Sequence, residues 1–358
     1  MAKKIIFTGG GSAGHVTLNL ALIPIFLQQG WNVTYIGSYN GIEKELVAKI
    51  ENVKYISIST GKLRRYFSWQ NFTDMTKIPL GVLQAICIVF KQKPDIVFSK
   101  GGFVSFPVVL AAKLNGVKCV MHESDVTPGL ANKMSVPFVS KFFTTFEDTV
   151  KYVKDKSKVD CVGPVLSDRL KNGTKKSACQ VCGFDESKPV IMVIGGSLGA
   201  KSVNDAVRKN LFELLKQYQV IHICGKGQVE KKLDEKGYKQ FDYVSDELKD
   251  FMAAADVVIS RAGSNSIFEL LSLNKPMVLV PLSGASSRGE QMLNAKSFQD
   301  KGYCEIVADD RLSEDGLLID TLDKVYKNKA TYIENMKNSG FKATNNYELV
   351  EKIIKTDK

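Results

Sequence analysis

The chain has 358 residues, 44% of them hydrophobic and 24% charged, which is the balance of a folded protein with more chain than one ordinary core accommodates. Its formal net charge of +11 is unevenly placed: residues 1–160 hold 20 Lys and Arg against 11 Asp and Glu, and the remainder hold 29 against 27. A basic half beside a near-neutral half points to two different partners, the first of them anionic: nucleic acid, a phosphorylated substrate or an acidic lipid surface. No stretch approaches 18 uninterrupted apolar residues and none reads as a cleavable signal peptide, so no spanning helix is expected. The seven cysteines are scattered, odd in number and mostly set in apolar runs, which fits reduced thiols in a cytoplasmic protein.

The first predicted strand, Ile5–Phe7, runs into Gly9-Gly10-Gly11-Ser12-Ala13-Gly14, and His15 opens the helix that follows. A glycine-rich turn between strand and helix lets backbone N–H groups approach an anion at the positive end of the helix dipole. The turn matches G-x-G-x-x-G, so a dinucleotide enzyme is one reading. Against it, the ribose-binding acid expected after the second strand, Val33–Ile36, is missing, because "VTYIGSYNG" ends in polar neutrals. His15 is a candidate general base, since an imidazole titrates near working pH.

The next segment, "GKLRRYFSWQNFTDMTKIPLGVLQAICIVFKQKP", combines Lys62, Arg64 and Arg65 with Tyr66, Phe67, Trp69 and Phe72. Cations beside aromatic rings suit an anionic lipid interface. A core-facing helix behind a polar loop is the plainer reading. Nucleic acid is the third, although no RNA- or DNA-binding motif accompanies the patch. Strands Ile96–Phe98 and Lys118–Met121 then lead into Lys100-Gly101-Gly102 and into His122-Glu123-Ser124-Asp125. Near "KSKVDCVGPVLSD" polarity rises and Gly163-Pro164 breaks the pattern, which marks an interdomain link.

The second half repeats the plan with strands Val190–Ile194, Val220–Cys224, Val257–Ile259 and Met277–Val280. Gly195-Gly196-Ser197-Leu198-Gly199 can wrap one phosphate. Ser264-Asn265-Ser266, after Arg261-Ala262-Gly263, offers donors to a second, and Glu269, one helical turn later, can accept two ribose hydroxyls. In both halves a glycine loop is followed by Asp, three apolar residues, Ser, a basic residue, a small residue, Gly, two residues and Ser: Asp95 to Ser105 in one, Asp256 to Ser266 in the other. That echo, with short apolar runs alternating with helix-length segments, predicts two Rossmann-like domains. The first spans 1–162 and takes back a C-terminal helix at about 343–358; the second spans 163–342. His222, inside a strand, reads as structural. Cys179-x-x-Cys182 lacks a second pair at zinc spacing, and no D-x-D sequence occurs, so no metal or cofactor is expected and leaving-group charge falls to backbone amides.

These motifs, "GGGSAGHVTLNLALIP", "SKGGFVSFPVVLAA", "HESDVTPGLANK", "GGSLGAKSVN", "SRAGSNSIFELL" and "SSRGEQMLNA", together resemble the membrane-associated N-acetylglucosaminyltransferases of peptidoglycan synthesis, which convert lipid I to lipid II. The resemblance covers essentially the whole chain. It implies an α/β glycosyltransferase B fold, two Rossmann-like domains with parallel sheets facing a central cleft, and inverting transfer from UDP-N-acetylglucosamine to the muramoyl 4-hydroxyl of lipid I. By position it implies donor contacts at Ser197, Val244, Ser264, Asn265, Ser266, Ile267, Phe268, Glu269 and Gln291, with Ser12, Ala13, Gly14 and Asp125 approaching from the first domain.

Two positions depart from the family pattern. Asp125 stands where many members have Asn, and Ser167 where many have Arg, so that contact is either absent or taken over by Arg169. In this reading His15 is the first candidate base and Glu123 the second. Gly195 to Gly199 and Ser264 face the departing diphosphate, Arg261 is counted among the donor-binding residues, and Gly11, Gly14, Gly101 and Gly102 cradle the diphosphate of the acceptor. The implied setting is the cytoplasmic face of the cell membrane, peripherally bound, beside other cell-wall synthesis proteins and without nucleic acid. The alternatives are a UDP-N-acetylglucosamine 2-epimerase, a diacylglycerol glycosyltransferase and a non-catalytic lipid-binding module.

Overall fold

The computed structural model describes residues 2–12, 14–61, 69–166, 168–196, 199–283 and 289–357; the side chains of 69–76 and 168 lie outside that description. The chain forms two compact units, Met1–Val165 with Ala343–Lys358, and Leu166–Lys342.

The first unit is built on strands β1 (Lys4–Thr8), β2 (Asn32–Ser38), β3 (Val53–Ile58), β4 (Ile96–Ser99), β5 (Lys118–Glu123), β6 (Lys141–Thr144) and β7 (Val159–Cys161). They make one sheet in the order β3-β2-β1-β4-β5-β6-β7, with every neighbouring pair parallel. The second unit carries β8 (Val190–Ile194), β9 (Gln219–Ile223), β10 (Tyr238–Phe241), β11 (Val257–Ser260), β12 (Met277–Leu279) and β13 (Cys304–Ile306). Its order is β10-β9-β8-β11-β12-β13, again parallel throughout.

A parallel sheet covered by helices on both faces needs strands that are apolar on both sides, and β1 shows why its sequence qualifies. Ile5 and Phe7 pack with Leu22 and Phe26 of the helix Gly14–Gln28, and with Leu349, Val350 and Ile353 of the C-terminal helix Asn346–Asp357. Ile6 points the other way, into Ala85 and Val89 of the helix Trp69–Gln92 and Val108 of the helix Ser105–Leu114. Leu349, Val350 and Ile353 are fully buried, worth about 1.5–3 kcal/mol each relative to exposure, which is what holds the end of the chain on the first unit.

Both sheets are the same winding run twice. The strand order reverses between β1 and β4 in one and between β8 and β11 in the other, and in such sheets ligands bind outside the carboxyl ends of the strands at that reversal. All four echoed loops therefore fall at these two points. No helix among the described residues is long and apolar enough to cross a membrane.

Candidate functional site

In the first unit the loops after β1 and β4 are laced together. The Gly10 N–H donates to the Gly101 carbonyl at 3.2 Å, and Lys100 N–H to the Thr8 carbonyl at 2.9 Å. A Cβ at Gly102 would lie 2.0 Å from the Gly10 oxygen, and the residue has φ +88°, so only glycine fits. Gly11, Ser12 and Gly14 are exposed and His15 is half-buried. The His15 Nδ1 lies 3.1 Å from the Gly10 carbonyl oxygen and 3.1 Å from Ser12 Oγ. A carbonyl can only accept, so this bond puts the proton on Nδ1 and the ring's lone pair on Nε2. Ala13 lies outside the described residues.

Lys100 is buried, and its ammonium donates to Ser124 Oγ at 2.5 Å and to His122 Nδ1 at 3.0 Å. Burial pulls the lysine below its ordinary range, against the nearby charges of Glu123 and Asp125. Burial first, then the lysine charge, hold His122 well below its usual range, and its Nε2 has no partner among the described residues.

Glu123, the second candidate base, is engaged at both oxygens. Oε1 accepts from the N–H groups of Ser124 (2.8 Å) and Asp125 (3.1 Å), and Oε2 from Gly129 N–H (3.1 Å) and Asn132 Nδ2 (2.8 Å). Three donors from its own loop and one from the helix Leu130–Ser135 tie the carboxylate to the shape of that loop. Asp125 is half-buried in the same loop and accepts from Thr149 through its backbone carbonyl.

Gly11, expected in the acceptor cradle, has a partner within its own unit. The Gly11 N–H points at Glu43 Oε2, 3.4 Å away, and Glu43 is wholly buried. That donor is turned inward, toward a carboxylate, and not out toward an anion.

In the second unit the loop after β8 closes through Gly199 N–H to the Gly196 carbonyl at 2.9 Å, ahead of the helix Lys201–Lys209; Ser197 lies outside the described residues. After β11, Gly263 is the N-cap of the helix Ser264–Ser272 and, being glycine, offers no side-chain cap. Ser264 is buried, Asn265 exposed and Ser266 half-buried. Ile267 and Phe268 are core residues: Phe268 stacks on Phe341 and meets Phe298 edge-on, so only their backbone is available to a ligand.

Glu269 is partly buried, with Arg169 Nη2 at 3.7 Å from its Oε1. Burial raises the carboxyl against the opposing arginine charge. The arginine offered in place of the contact missing at Ser167 thus lies beside the carboxylate expected at the ribose; Ser167 itself lies outside the described residues. Val244, buried, follows β10. Gln291 accepts the Leu282 N–H after β12 at 3.0 Å. Arg261, expected among the donor-binding residues, has its guanidinium on Asp309 (2.6 Å), Ser202 Oγ (2.9 Å) and the Val280 carbonyl (3.1 Å). It braces three segments of its own unit.

The family model for the glycosyltransferase family 28 N-terminal domain matches residues 5–144, and that for the C-terminal domain matches residues 190–353. A protein of Geobacillus kaustophilus is 53% identical over 95% of each chain. The chain belongs to glycosyltransferase family 28. The Geobacillus relative is named a UDP-N-acetylglucosamine–N-acetylmuramyl-(pentapeptide) pyrophosphoryl-undecaprenol N-acetylglucosamine transferase, as is one from Clostridium tetani, 52% identical over 98% of each chain. The crystal structure of Acinetobacter baumannii MurG superposes with a TM-score of 0.77 over 99% of each chain at 23% identity. The fold is that of the glycosyltransferase B class, two Rossmann-like domains.

Each half of this family 28 chain buries one neutral histidine. His222 is bonded at both nitrogens, to Tyr238 OH at 2.8 Å and Asn204 Oδ1 at 3.0 Å, and burial with the Arg208 charge takes it down to about 3. Groups whose folded values are depressed bind fewer protons than the unfolded chain below about pH 6.5, so stability falls on acidification. Between pH 7 and pH 5, His222 is expected to remove about 2 kcal/mol, and His122 acts in the same direction. Urea unfolding at the two pH values checks this, and His222→Gln should lose its share of the slope.

Proposed function

We propose that this chain transfers N-acetylglucosamine from UDP-N-acetylglucosamine to the muramoyl 4-hydroxyl of lipid I, inverting the anomeric carbon and giving lipid II. The observation that carries this reading is the 53% identity, over 95% of both chains, with a transferase of that name. The second unit takes the donor. The loop after β8 at Gly195 and Gly196 and the first turn of the helix Ser264–Ser272 supply amide donors for the UDP diphosphate, where negative charge grows as the bond to C1 breaks. Glu269 accepts the ribose hydroxyls, with Arg169 beside it.

The first unit takes the acceptor. His15 Nε2 accepts the proton of the 4-hydroxyl as its oxygen attacks C1, and Ser12, Gly14 and Asp125 border the sugar. The acceptor diphosphate meets the exposed turn at Gly14 and the Gly101–Gly102 loop.

Membrane attachment is proposed through the helix Trp69–Gln92. Ala85 and Val89 face the core while Leu80, Leu83, Cys87 and Phe90 form an exposed stripe at spacings of three and four residues. Leu114, on the neighbouring helix, is also exposed, and Lys77, Lys91 and Lys93 lie along or just beyond the stripe. An apolar stripe edged by lysines suits an anionic leaflet at the cytoplasmic face, where other cell-wall synthesis proteins would be neighbours. The aromatic-basic residues 62–68 lie outside the described residues.

Radiolabelled donor offered with lipid I, with diacylglycerol, or alone tests the reading. Label is expected only in lipid I. Transfer to diacylglycerol, or epimerised sugar formed without acceptor, overturns it.

A further inference from the structure

Beneath the first glycine loop lies a carboxylate that no motif announces. Glu43 lies in the first turn of the short helix Ile42–Val47 and is wholly buried. Its Oε1 accepts from Ser38 N–H at 3.0 Å and Ser38 Oγ at 2.5 Å, both at the end of β2, and its Oε2 accepts from Gly11 N–H at 3.4 Å. All three contacts are donors, the set that a carboxylate's oxygens take. The packing is built around it: a Cβ at Gly10 would come within 2.6 Å of the carboxyl carbon, and one at Gly41 within 2.3 Å.

The peptide that Glu43 holds is the one that His15 uses. Gly10 C=O and Gly11 N–H belong to a single planar unit. Glu43 binds its hydrogen end, and His15 Nδ1 binds its oxygen end at 3.1 Å. We infer that Glu43 is a positioning residue for His15: through the Gly10–Gly11 peptide, its carboxylate fixes the carbonyl that takes the Nδ1 proton, so that the imidazole presents Nε2 to the acceptor. An outer carboxylate that orients a working histidine is a common device; here a peptide group stands between the two.

Around the hub, the phenols of Tyr35 and Tyr55 stack 5.9 Å apart, and burial, with a contribution from the Glu43 charge, pushes both up. Tyr35 donates to the Gly9 carbonyl, and Asn19 donates to Tyr35 and to the Thr8 carbonyl. Lys100 adjoins Gly9 through its Cβ, with its ammonium engaged at His122 and Ser124.

The inference rests on the reading of His15 as the base, and its test separates the two. The protein has three histidines, two of them buried and held low, so His15 is followed by its own ring-proton NMR signal as pH is varied. In Glu43→Gln the titration midpoint of His15 is expected to fall by about half a pH unit or more, because a negative charge that favours the imidazolium is gone. The same variant should lose about 10- to 100-fold in kcat with little change in donor KM, and the acid limb of its rate profile should move with the NMR midpoint. Ser38→Ala, which keeps the carboxylate but frees one of its anchors, should move both readouts in the same direction by less. An unchanged His15 midpoint in folded Glu43→Gln, or in Ser38→Ala if the first does not fold, overturns the inference. A moved midpoint with an unmoved rate profile keeps the Glu43–His15 link and removes His15 as the base.

Discussion

His15→Ala is expected to lower kcat by about 10²- to 10⁴-fold while leaving the KM for UDP-N-acetylglucosamine within about threefold. The expectation follows from which nitrogen carries the proton. Nδ1 sits at 3.1 Å from the Gly10 carbonyl, an acceptor only, so Nε2 holds the lone pair before any substrate binds. A hydroxyl attacking C1 must lose its proton as the new bond forms, and removing the imidazole removes the acceptor without touching the donor contacts in the second unit. Wild-type kcat should rise with pH as the base is deprotonated, and the alanine variant should lack that limb. Stopped assays across pH, with donor affinity measured separately, check both points. Equal turnover would take His15 out of the mechanism.

Much of this architecture was legible because inner strands of a parallel sheet announce themselves. The eight predicted strands are mainly apolar runs, and they form β1, β2, β4, β5, β8, β9, β11 and β12. The strands outside that set lie at a sheet edge or, for β6, next to one, and carry polar residues or only three or four positions: β3 (VKYISI), β6 (KFFT), β7 (VDC), β10 (YKQF) and β13 (CEI). Such segments are strands because a neighbour offers a ladder, which no local pattern records.

The glycine loops were legible for a different reason. Their spacing relative to the strands repeats in both halves, and the topology sets each pair side by side at a reversal of strand order. What stayed hidden was which side chains are occupied by the protein itself. Arg261 and Glu123 have the right chemistry at the right loop, and only three-dimensional contacts with Asp309, Ser202, Gly129 and Asn132 reveal their structural duties. Glu43 is the converse. In "GSYNGIEKEL" it looks like a solvent-facing charge in a first helical turn, and it turns out to be buried below the loop, close to where a ribose-binding acid was sought after the second strand and not found.

Gly102→Ala is expected to cost about 2–4 kcal/mol of stability in the first unit and to lower kcat by about 10²-fold or more. Two penalties combine there. The residue has φ +88°, a region that L side chains rarely adopt, and the new methyl would lie 2.0 Å from the Gly10 oxygen and 3.1 Å from His15 Nδ1. The oxygen cannot yield alone, because the Gly10 N–H is tied to Gly101 and the next N–H points to Glu43. Relief therefore has to come from shifting the loop that orients the imidazole.

Gly116→Ala separates the penalties. It has φ +72° at the end of the helix Ser105–Leu114, with nothing within 4 Å of its added Cβ, so it should cost about 1–2 kcal/mol from backbone strain and leave kcat unchanged. Denaturant unfolding measures the stabilities, and single-turnover rates with saturating donor measure the chemistry. If both variants lose stability equally and Gly102→Ala keeps its turnover, the contact between these two loops is not what sets the position of His15.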